Sequence, residues 1–297
     1  MKVNVLGVPN SAGAYCVGVE RAPAALREAG LLDALAAGGN EVVDVGDLTT
    51  RVWTPDRTQP FAQNLPEEVA ALMELSDAAI RLLAHGERLL VLGGSCTVVL
   101  GVCTGMAQRV ESPHVVYLDR HLDLNTPLST IEGSFSWMGM AHALAVKGAV
   151  PELANATRPT PLLTPADVVY LGADVAAATE WERTQVRELG ITVVPQAALV
   201  DDPQQAARTA LDALPSGPFV VHLDVDLLDF MDAPLAENVN GRNSGPTLAQ
   251  LEPALVELVR HPDCWALSIG QLDPAHAASD PTAIPRLISV LQAALAG

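Results

Sequence analysis

The sequence contains few basic residues. It has 17 lysines and arginines against 35 aspartates and glutamates, which gives a formal net charge of −18. Nucleic acids and anionic membrane surfaces bind proteins through basic patches, so neither is expected as a partner. Most of this acidity is interpreted as a solubility feature, and part of it as carboxylates of a site that binds cations.

Long apolar runs and paired cysteines are also missing. No stretch approaches the roughly 20 apolar residues that cross a bilayer. The opening MKVNVLGVPN contains a short apolar run broken by Asn4, which is typical of a first strand and not of a signal peptide. Cys16, Cys96, Cys103 and Cys264 form no C-x-x-C pair. We therefore predict a cytoplasmic protein with reduced thiols.

Short apolar runs alternate with amphipathic helix patterns along the chain. The runs lack the alternation of half-exposed strands, which indicates strands buried on both faces of a parallel sheet. We predict a single α/β domain over residues 1–297, a three-layer α-β-α sandwich with a mostly parallel sheet of about eight strands. The predicted strands are 2–8, 41–45, 88–93, 114–118, 167–172, 191–195, 218–223 and 264–269, and the clearest predicted helices are 22–37, 66–84 and 247–261.

Polar side chains follow three of the predicted strands. GGSC (93–96), DRHLD (119–123) and DVDLLD (224–229) each begin where a strand ends. Ligands of open α/β sheets bind beyond the carboxyl ends of the strands, so these segments are expected to form one site. In an extended chain Asp119, His121 and Asp123 share one face, as do Asp224 and Asp226.

These strand ends together offer carboxylates, an imidazole and a thiol. Crowded carboxylates raise one another's pKa, and divalent cations would remove that repulsion. Two metal ions about 3.5–4 Å apart can share a bridging water and yield hydroxide at neutral pH. Each motif alone has a plainer interpretation, as a turn, a helix cap or, for Cys96, a buried thiol. Their combination in one sheet favours a dinuclear hydrolytic site.

The chain resembles the arginase/agmatinase (ureohydrolase) family over nearly its whole length. GGSC stands where that family has Gly-Gly-Asp-His, DRHLDLNTP (119–127) is similar to its Asp-Ala-His-x-Asp-x-Asn-x-Pro, and HLDVDLLDF (222–230) to its Ser-x-Asp-x-Asp-x-x-Asp-Pro. The resemblance implies an arginase-like fold, two divalent metal ions, typically Mn²⁺, hydrolysis of C–N bonds in amidino compounds, and a homotrimer or homohexamer. The metal ligands that it implies are Cys96, Asp119, His121, Asp123, Asp224 and Asp226.

Two departures concern the metal site and proton transfer. Cys96 replaces a histidine ligand, which resembles the hydroxyarginine hydrolase branch, and a thiolate is a softer donor. Ser136 stands where the family has its proton-shuttle histidine. His142 or His222 could replace that shuttle, and either could equally be a structural histidine. Asp123 is expected to stabilise the tetrahedral intermediate and to relay a proton to the leaving nitrogen.

Other departures concern the substrate. Gln271 stands in place of the glutamate that pairs with a guanidinium, whereas Asn125 and Thr130, which the resemblance implies hold an α-carboxylate, are retained. Glu132 and Trp137 lie in the same loop as Ser136 and could shape the pocket. We therefore expect a small-molecule substrate other than L-arginine, with a neutral group preferred at Gln271.

Three functions remain open from the sequence. The first is a metal-dependent hydrolase of a C–N bond in an amidino, hydroxyguanidino or related compound. The alternative is a catalytically impaired arginase-fold protein with a binding or regulatory role, and a third is another metallohydrolase reaction on the same scaffold. Two equivalents of manganese per chain would favour catalysis over the binding role.

Overall fold

A computed structural model describes residues 1–130, 132–238 and 243–297. Its centre is a sheet of eight strands that pair in parallel in the order β2-β1-β3-β8-β7-β4-β5-β6. The strands are β1 (Lys2–Gly7), β2 (Glu41–Asp47), β3 (Glu87–Leu92), β4 (His114–Leu118), β5 (Val168–Ala173), β6 (Thr192–Pro195), β7 (Phe219–Asp224) and β8 (Cys264–Gly270).

Helices cover both faces of the sheet. They are α1 (Ala22–Glu28), α2 (Leu31–Ala37), α3 (Leu65–Leu82), α4 (Val98–Ala107), α5 (Gly139–Ala143), α6 (Pro151–Ala156), α7 (Glu180–Leu189), α8 (Gln196–Asp201), α9 (Pro203–Ala213), α10 (Leu248–Val259), α11 (Pro274–Ala277) and α12 (Ala283–Leu295). None of the helices in the described part of the chain is long and apolar enough to cross a membrane.

Alternate residues of the central strands enter two separate hydrophobic cores. In β4, Val116 and Leu118 join one core with residues of α1, α2, α10 and α12. Val115 and Tyr117 join the other core, with residues of α3 and α4. This division follows from the two-residue period of a strand. The predicted three-layer sandwich with a parallel sheet is confirmed.

Each predicted strand overlaps an observed one, but burial on both faces is wrong for β2. This strand is at the edge of the sheet, and Val43 and Val45 are 37% and 43% exposed. An edge strand has a partner on one side alone, so its apolar residues do not require full burial.

The predicted helix over residues 22–37 is two helices. Gly30 adopts φ 92°, in the left-handed region, and separates α1 from α2. Glycine enters this conformation without steric penalty, so the apolar period continues while the helical hydrogen bonding is interrupted.

Candidate metal centre

The floor of the candidate site is built by the ends of four neighbouring strands. β3, β8, β7 and β4 lie side by side in the sheet. Residues 93–96 follow β3, Gln271 follows β8, Asp224 ends β7 and Asp119 follows β4. Because parallel strands end at the same edge, side chains that are far apart in the sequence meet there.

Glycines allow the loop after β3 to run close to the sheet. Gly94 adopts φ 89°, and a Cβ at this position would lie 2.6 Å from Val98 Cγ1. The Gly94 carbonyl accepts a 3.0 Å hydrogen bond from the backbone N–H of Gln271. The loop is thereby tied to the end of β8, and Cys96 follows two residues later.

Cys96, Asp119 and Asp123 form a first group of possible metal ligands. Their donor atoms all lie within 4.8 Å of one another, and all three residues are buried. The Sγ of Cys96 also lies 2.9 Å from Oδ2 of Asp224. A thiol and three carboxylates from three strand ends therefore converge.

Asp119, His121 and Asp226 form a second group with the same spacing. The Nδ1 atom of His121 lies 3.1 Å from Oδ2 of Asp226 and 3.5 Å from Oδ1 of Asp119. Asp224 joins the two groups, because it contacts Cys96 and its Oδ1 accepts a 2.7 Å hydrogen bond from the backbone N–H of Asp226. The structure thus brings all six predicted ligands together, with Asp119 in both groups.

The backbone that carries the ligands is less regular than the extended chain predicted from the sequence. β4 ends at Leu118, and Asp123 adopts φ 51° in the left-handed region. After β7 the chain forms a short 3-10 helix, Val225–Leu227, so Asp224 and Asp226 do not share the face of a strand. The extended-chain explanation is therefore wrong for these residues, because turns close to each strand end bring the side chains together.

Tyr117 supports Asp123 from inside the core. Its hydroxyl donates a 2.6 Å hydrogen bond to Oδ2 of Asp123, and its ring stacks on His222 at 4.8 Å between centroids. Burial, and then the nearby Asp123 charge, raises the pKa of Tyr117, so this hydroxyl stays protonated and remains a donor. One oxygen of Asp123 is thereby held in place.

Crowding of buried carboxylates dominates the electrostatics of the cluster. Burial, and then the charge of Asp226, raises the pKa of Asp119 to about 6. Burial and neighbouring carboxylates raise the pKa of Asp123 and Asp224 well above the usual range. Burial alone would lower the pKa of His121, but the Asp226 and Asp119 carboxylates outweigh it and raise that pKa. Such a cluster is destabilised at neutral pH unless positive charge is added.

The donor set fits divalent metal ions. Oδ2 of Asp119 is buried and has no hydrogen-bond partner among the residues that the structure describes. Carboxylate, imidazole and thiolate donors at this spacing are the ligands used by divalent transition metals. Cations in both groups would remove the carboxylate repulsion and occupy the lone pairs of Asp119.

A cavity of about 780 Å³ opens above this cluster. Four of the residues predicted to bind substrate, Glu132, Ser136, Trp137 and Gln271, lie in its wall. The Trp137 ring packs against His121 with 5.1 Å between ring centroids. Burial raises the pKa of Glu132 to about 7.

Asn125 and Thr130 are not among the described residues that line this cavity. Oδ1 of Asn125 accepts hydrogen bonds of 3.1 Å from Ser129 and 3.3 Å from Thr179. The Thr130 hydroxyl donates to the backbone carbonyl of Glu132. In this structure both side chains hold the loop that carries the pocket residues.

His142 and His222 also lie outside the described cavity wall. Nε2 of His142 accepts a 2.9 Å hydrogen bond from the backbone N–H of Val150, so its Nδ1 donates to the Met138 carbonyl at 2.7 Å. His222 contacts the Ser268 hydroxyl at 2.9 Å through Nδ1. Burial lowers the pKa of His142 to about 4 and that of His222 to about 3. This geometry does not support either histidine as the proton shuttle.

Sequence reasoning missed Glu237, a buried carboxylate in the cavity wall. It lies in the loop after β7, and its backbone N–H donates to the Gln271 carbonyl at 2.8 Å. The feature of the sequence that could have indicated Glu237 is its position in the loop that follows Asp224 and Asp226.

Comparison with known proteins identifies the relatives of this chain. A sequence profile described as "Arginase family" matches residues 1–291. The chain belongs to the arginase family. Human mitochondrial arginase-2 is 34% identical over 175 residues, and pig arginase-1 is 33% identical over 171. These matches cover 57% of this chain and 49% and 53% of the two relatives, so the chain matches about half the length of each.

Solved structures of arginase-family proteins share the fold over the whole chain. Arginase from Bacillus caldovelox superposes with a TM-score of 0.89 at 22% identity, covering 100% of this chain and 98% of that one. A formiminoglutamase variant from Trypanosoma cruzi, solved with Mn²⁺, gives 0.74 at 16% identity, covering 99% and 91%. The predicted family and arginase-like fold are confirmed.

Proposed function

We propose that this arginase-family chain is a metal-dependent hydrolase of a C–N bond in an amidino, hydroxyguanidino or related small molecule. The observation that carries the proposal is the convergence of six ligand-type side chains on the floor of one cavity. Relatives named arginase and formiminoglutamase support the same class of reaction.

Two divalent cations, Mn²⁺ by analogy with the Trypanosoma cruzi structure, are proposed as cofactors. Cys96, Asp119, Asp123 and Asp224 would hold one, and His121 and Asp226, with the shared carboxylates, would hold the other. Bound divalent cations supply Lewis-acid activation of a water nucleophile. When deprotonated, Cys96 would offer this first position a softer donor than a histidine, which would favour softer divalent ions there.

The chain's own residues bind the substrate and move protons. The Asp123 carboxylate, fixed by Tyr117, is proposed to pass a proton to the leaving nitrogen. Gln271, Ser136 and Trp137 would orient the substrate from the cavity wall. Asn125 and Thr130 would act by holding the loop that carries Ser136 and Trp137.

A binding or regulatory role is the second candidate, and one observation favours it. Cys96 stands where the family has a histidine ligand, and its Sγ lies 2.9 Å from a carboxylate oxygen of Asp224. Burial, and then the neighbouring aspartates, raises the pKa of the Cys96 thiol. A thiol that keeps its proton binds metal poorly, which would leave the first group empty.

Metal content and product release separate the two roles. Chain loaded with Mn²⁺ is analysed for bound metal and screened for urea and ammonia release from guanidino, hydroxyguanidino, formimino and amide compounds. The proposal expects two metal equivalents per chain and metal-dependent turnover of one compound class. Asp224→Ala should lose most of the metal, whereas the exposed Asp212→Ala serves as the matched control. Metal-free wild type at saturating Mn²⁺ would favour the binding role.

We also propose a homotrimer or homohexamer, by analogy with the family. Light scattering of the purified chain measures the mass directly, and a monomer over micromolar concentrations would contradict this proposal.

A further inference from the structure

A short antiparallel pairing outside the main sheet brings a second polar group to Gln271. Ala236 bridges Leu272, the Glu237 N–H donates to the Gln271 carbonyl at 2.8 Å, and the Asp273 N–H donates to the Leu235 carbonyl at 2.8 Å. Glu237 and Gln271 flank this bridge and are joined by the first of these hydrogen bonds, and both line the cavity above the metal cluster.

The Glu237 carboxylate is fixed by hydrogen bonds but is not paired with a cation among the residues that the structure describes. Oε1 accepts hydrogen bonds from the Cys16 backbone N–H at 3.1 Å and from the Cys16 thiol at 3.4 Å. Burial, and then the charge of Glu237, raises the pKa of Cys16 to about 12, so the thiol stays a donor. Within residues 1–130, 132–238 and 243–297, no lysine, arginine or histidine lies within 4.0 Å of this carboxylate.

A carboxylate that is 8% exposed and that the described part of the chain leaves without a cationic partner is an unfavourable feature in a folded protein. Burial raises the pKa of Glu237 to about 7, and Asp273 adds to the effect. Beside it, Oε1 of Gln271 is buried and accepts no hydrogen bond from any described residue, in a side chain that is 7% exposed. Two acceptors on adjacent backbone segments therefore face the same cavity. Among the described residues, Oε1 of Gln271 has no donor and the Glu237 carboxylate has no cationic partner.

We propose that Glu237 supplies the carboxylate that is missing at position 271, and that Glu237 and Gln271 together receive the N–H groups of a cationic amidinium or guanidinium substrate. A planar cation of this kind presents several N–H donors in one plane, which suits two neighbouring acceptors. The inference rests on the proposed function and names its substrate class. It competes with the expectation that a neutral group is preferred because Gln271 is neutral.

The alternative role for Glu237 is structural, as an acceptor for Cys16. Glutamine in its place would keep an acceptor oxygen for the Cys16 N–H while removing the charge. Glu237→Gln therefore separates charge recognition from loop stability. Glu237→Asp, which retains the charge on a shorter side chain, covers the case in which the glutamine variant folds poorly.

Binding of pentanamidinium and pentanamide to the Mn²⁺-loaded chain tests the proposal, because the two probes match in size and differ in one charge. Wild type should bind the amidinium at least about tenfold more tightly, as expected for a charge-assisted hydrogen bond. Glu237→Gln should abolish this preference and Glu237→Asp should keep part of it. Glu188→Gln, the same substitution at an exposed side chain on α7, should behave as wild type.

Equal affinities in wild type, or a preference that survives in Glu237→Gln, would overturn the inference. So would a preference that appears only in Gln271→Glu, since that result would show that position 271 alone faces the ligand. Failure of the proposed function has a different signature. An amidinium preference that depends on Glu237, without metal-dependent turnover of any compound class, would refute hydrolysis and leave a cation-binding pocket.

Discussion

At the scale of single residues, two buried tyrosines lie behind the cluster of candidate metal ligands. Tyr117 and Tyr170 are both fully buried and contact each other edge to face at 5.5 Å. The Tyr117 hydroxyl donates to the Asp123 carboxylate, whereas the Tyr170 hydroxyl donates to the Leu122 backbone carbonyl at the same distance of 2.6 Å. The phenol hydroxyl therefore supports a candidate metal ligand in the case of Tyr117 and a backbone carbonyl in the case of Tyr170.

This pair gives a matched test of ligand support. Tyr117→Phe should lower metal affinity by about 10- to 100-fold, as is common when a group that orients a ligand is lost. Tyr170→Phe removes an equal hydroxyl without touching a carboxylate and should change metal affinity far less. Competition with a fluorescent chelator measures both. Equal effects would show that Tyr117 acts only through packing.

Cys96 is the residue at which the metal set departs from the family. Cys96→His restores the harder donor and should strengthen Mn²⁺ binding. In wild type, bound metal should protect Cys96 from alkylation, because a coordinating thiol is deprotonated and covered. Mass spectrometry after iodoacetamide treatment, with and without Mn²⁺, measures this protection. Equal labelling of Cys96 in both samples would show that this residue does not bind the metal.

At the scale of elements, the turns between strands and ligands decide the geometry. Gly94 and Gly86 both adopt positive φ, at 89° and 82°, but a Cβ at Gly86 would have open space whereas one at Gly94 would meet Val98. The two glycines therefore share the conformational requirement and differ in crowding. Of these two glycines, only Gly94 lies in a crowded position, beside Val98 of α4.

Gly94→Ala should therefore be more damaging than Gly86→Ala. Both changes carry a left-handed penalty of about 1–2 kcal/mol. The Val98 contact adds overpacking of about 1–3 kcal/mol at Gly94. Urea unfolding gives both free energies, and metal analysis should show a loss for Gly94→Ala only. Comparable unfolding free energies would contradict the role given to the close approach.

Sequence patterns predicted the strands well and the turns poorly. Buried runs such as 114–118 are visible locally, because both faces of a central strand must be apolar. The left-handed turn at Asp123 is hard to predict locally, because aspartate adopts positive φ more often than most residues but still seldom. Glu237 was missed because a pairing with residues more than thirty positions away sets its place beside Gln271.

At the scale of the whole molecule, stability depends on histidines that the proposed chemistry does not use. His142 is buried and neutral, with a pKa lowered from 6.5 to about 4. In the unfolded chain the same group binds a proton below about pH 6.5. Its contribution to stability is therefore fully present above pH 6.5 and is lost as the pH falls toward 4, by about 3 kcal/mol in total.

His142→Gln should flatten this part of the pH dependence. The variant is expected to be less stable than wild type at pH 7, because it disturbs two backbone hydrogen bonds, and to lose less free energy of unfolding between pH 7 and pH 4.5. Urea unfolding at a series of pH values measures the difference. Parallel curves for the two proteins would show that His142 does not titrate with unfolding.

The cavity has a floor made by strand ends and walls made by loops, and this division bears on how such a protein diverges. Substitutions in the walls, at Glu132, Ser136 or Glu237, alter the shape and charge offered to a ligand while the sheet beneath keeps its registers. Loops tolerate such changes better than packed strands do. Ligand preference can therefore change through successive substitutions in the cavity wall while the cluster of metal-ligand side chains on the floor stays the same.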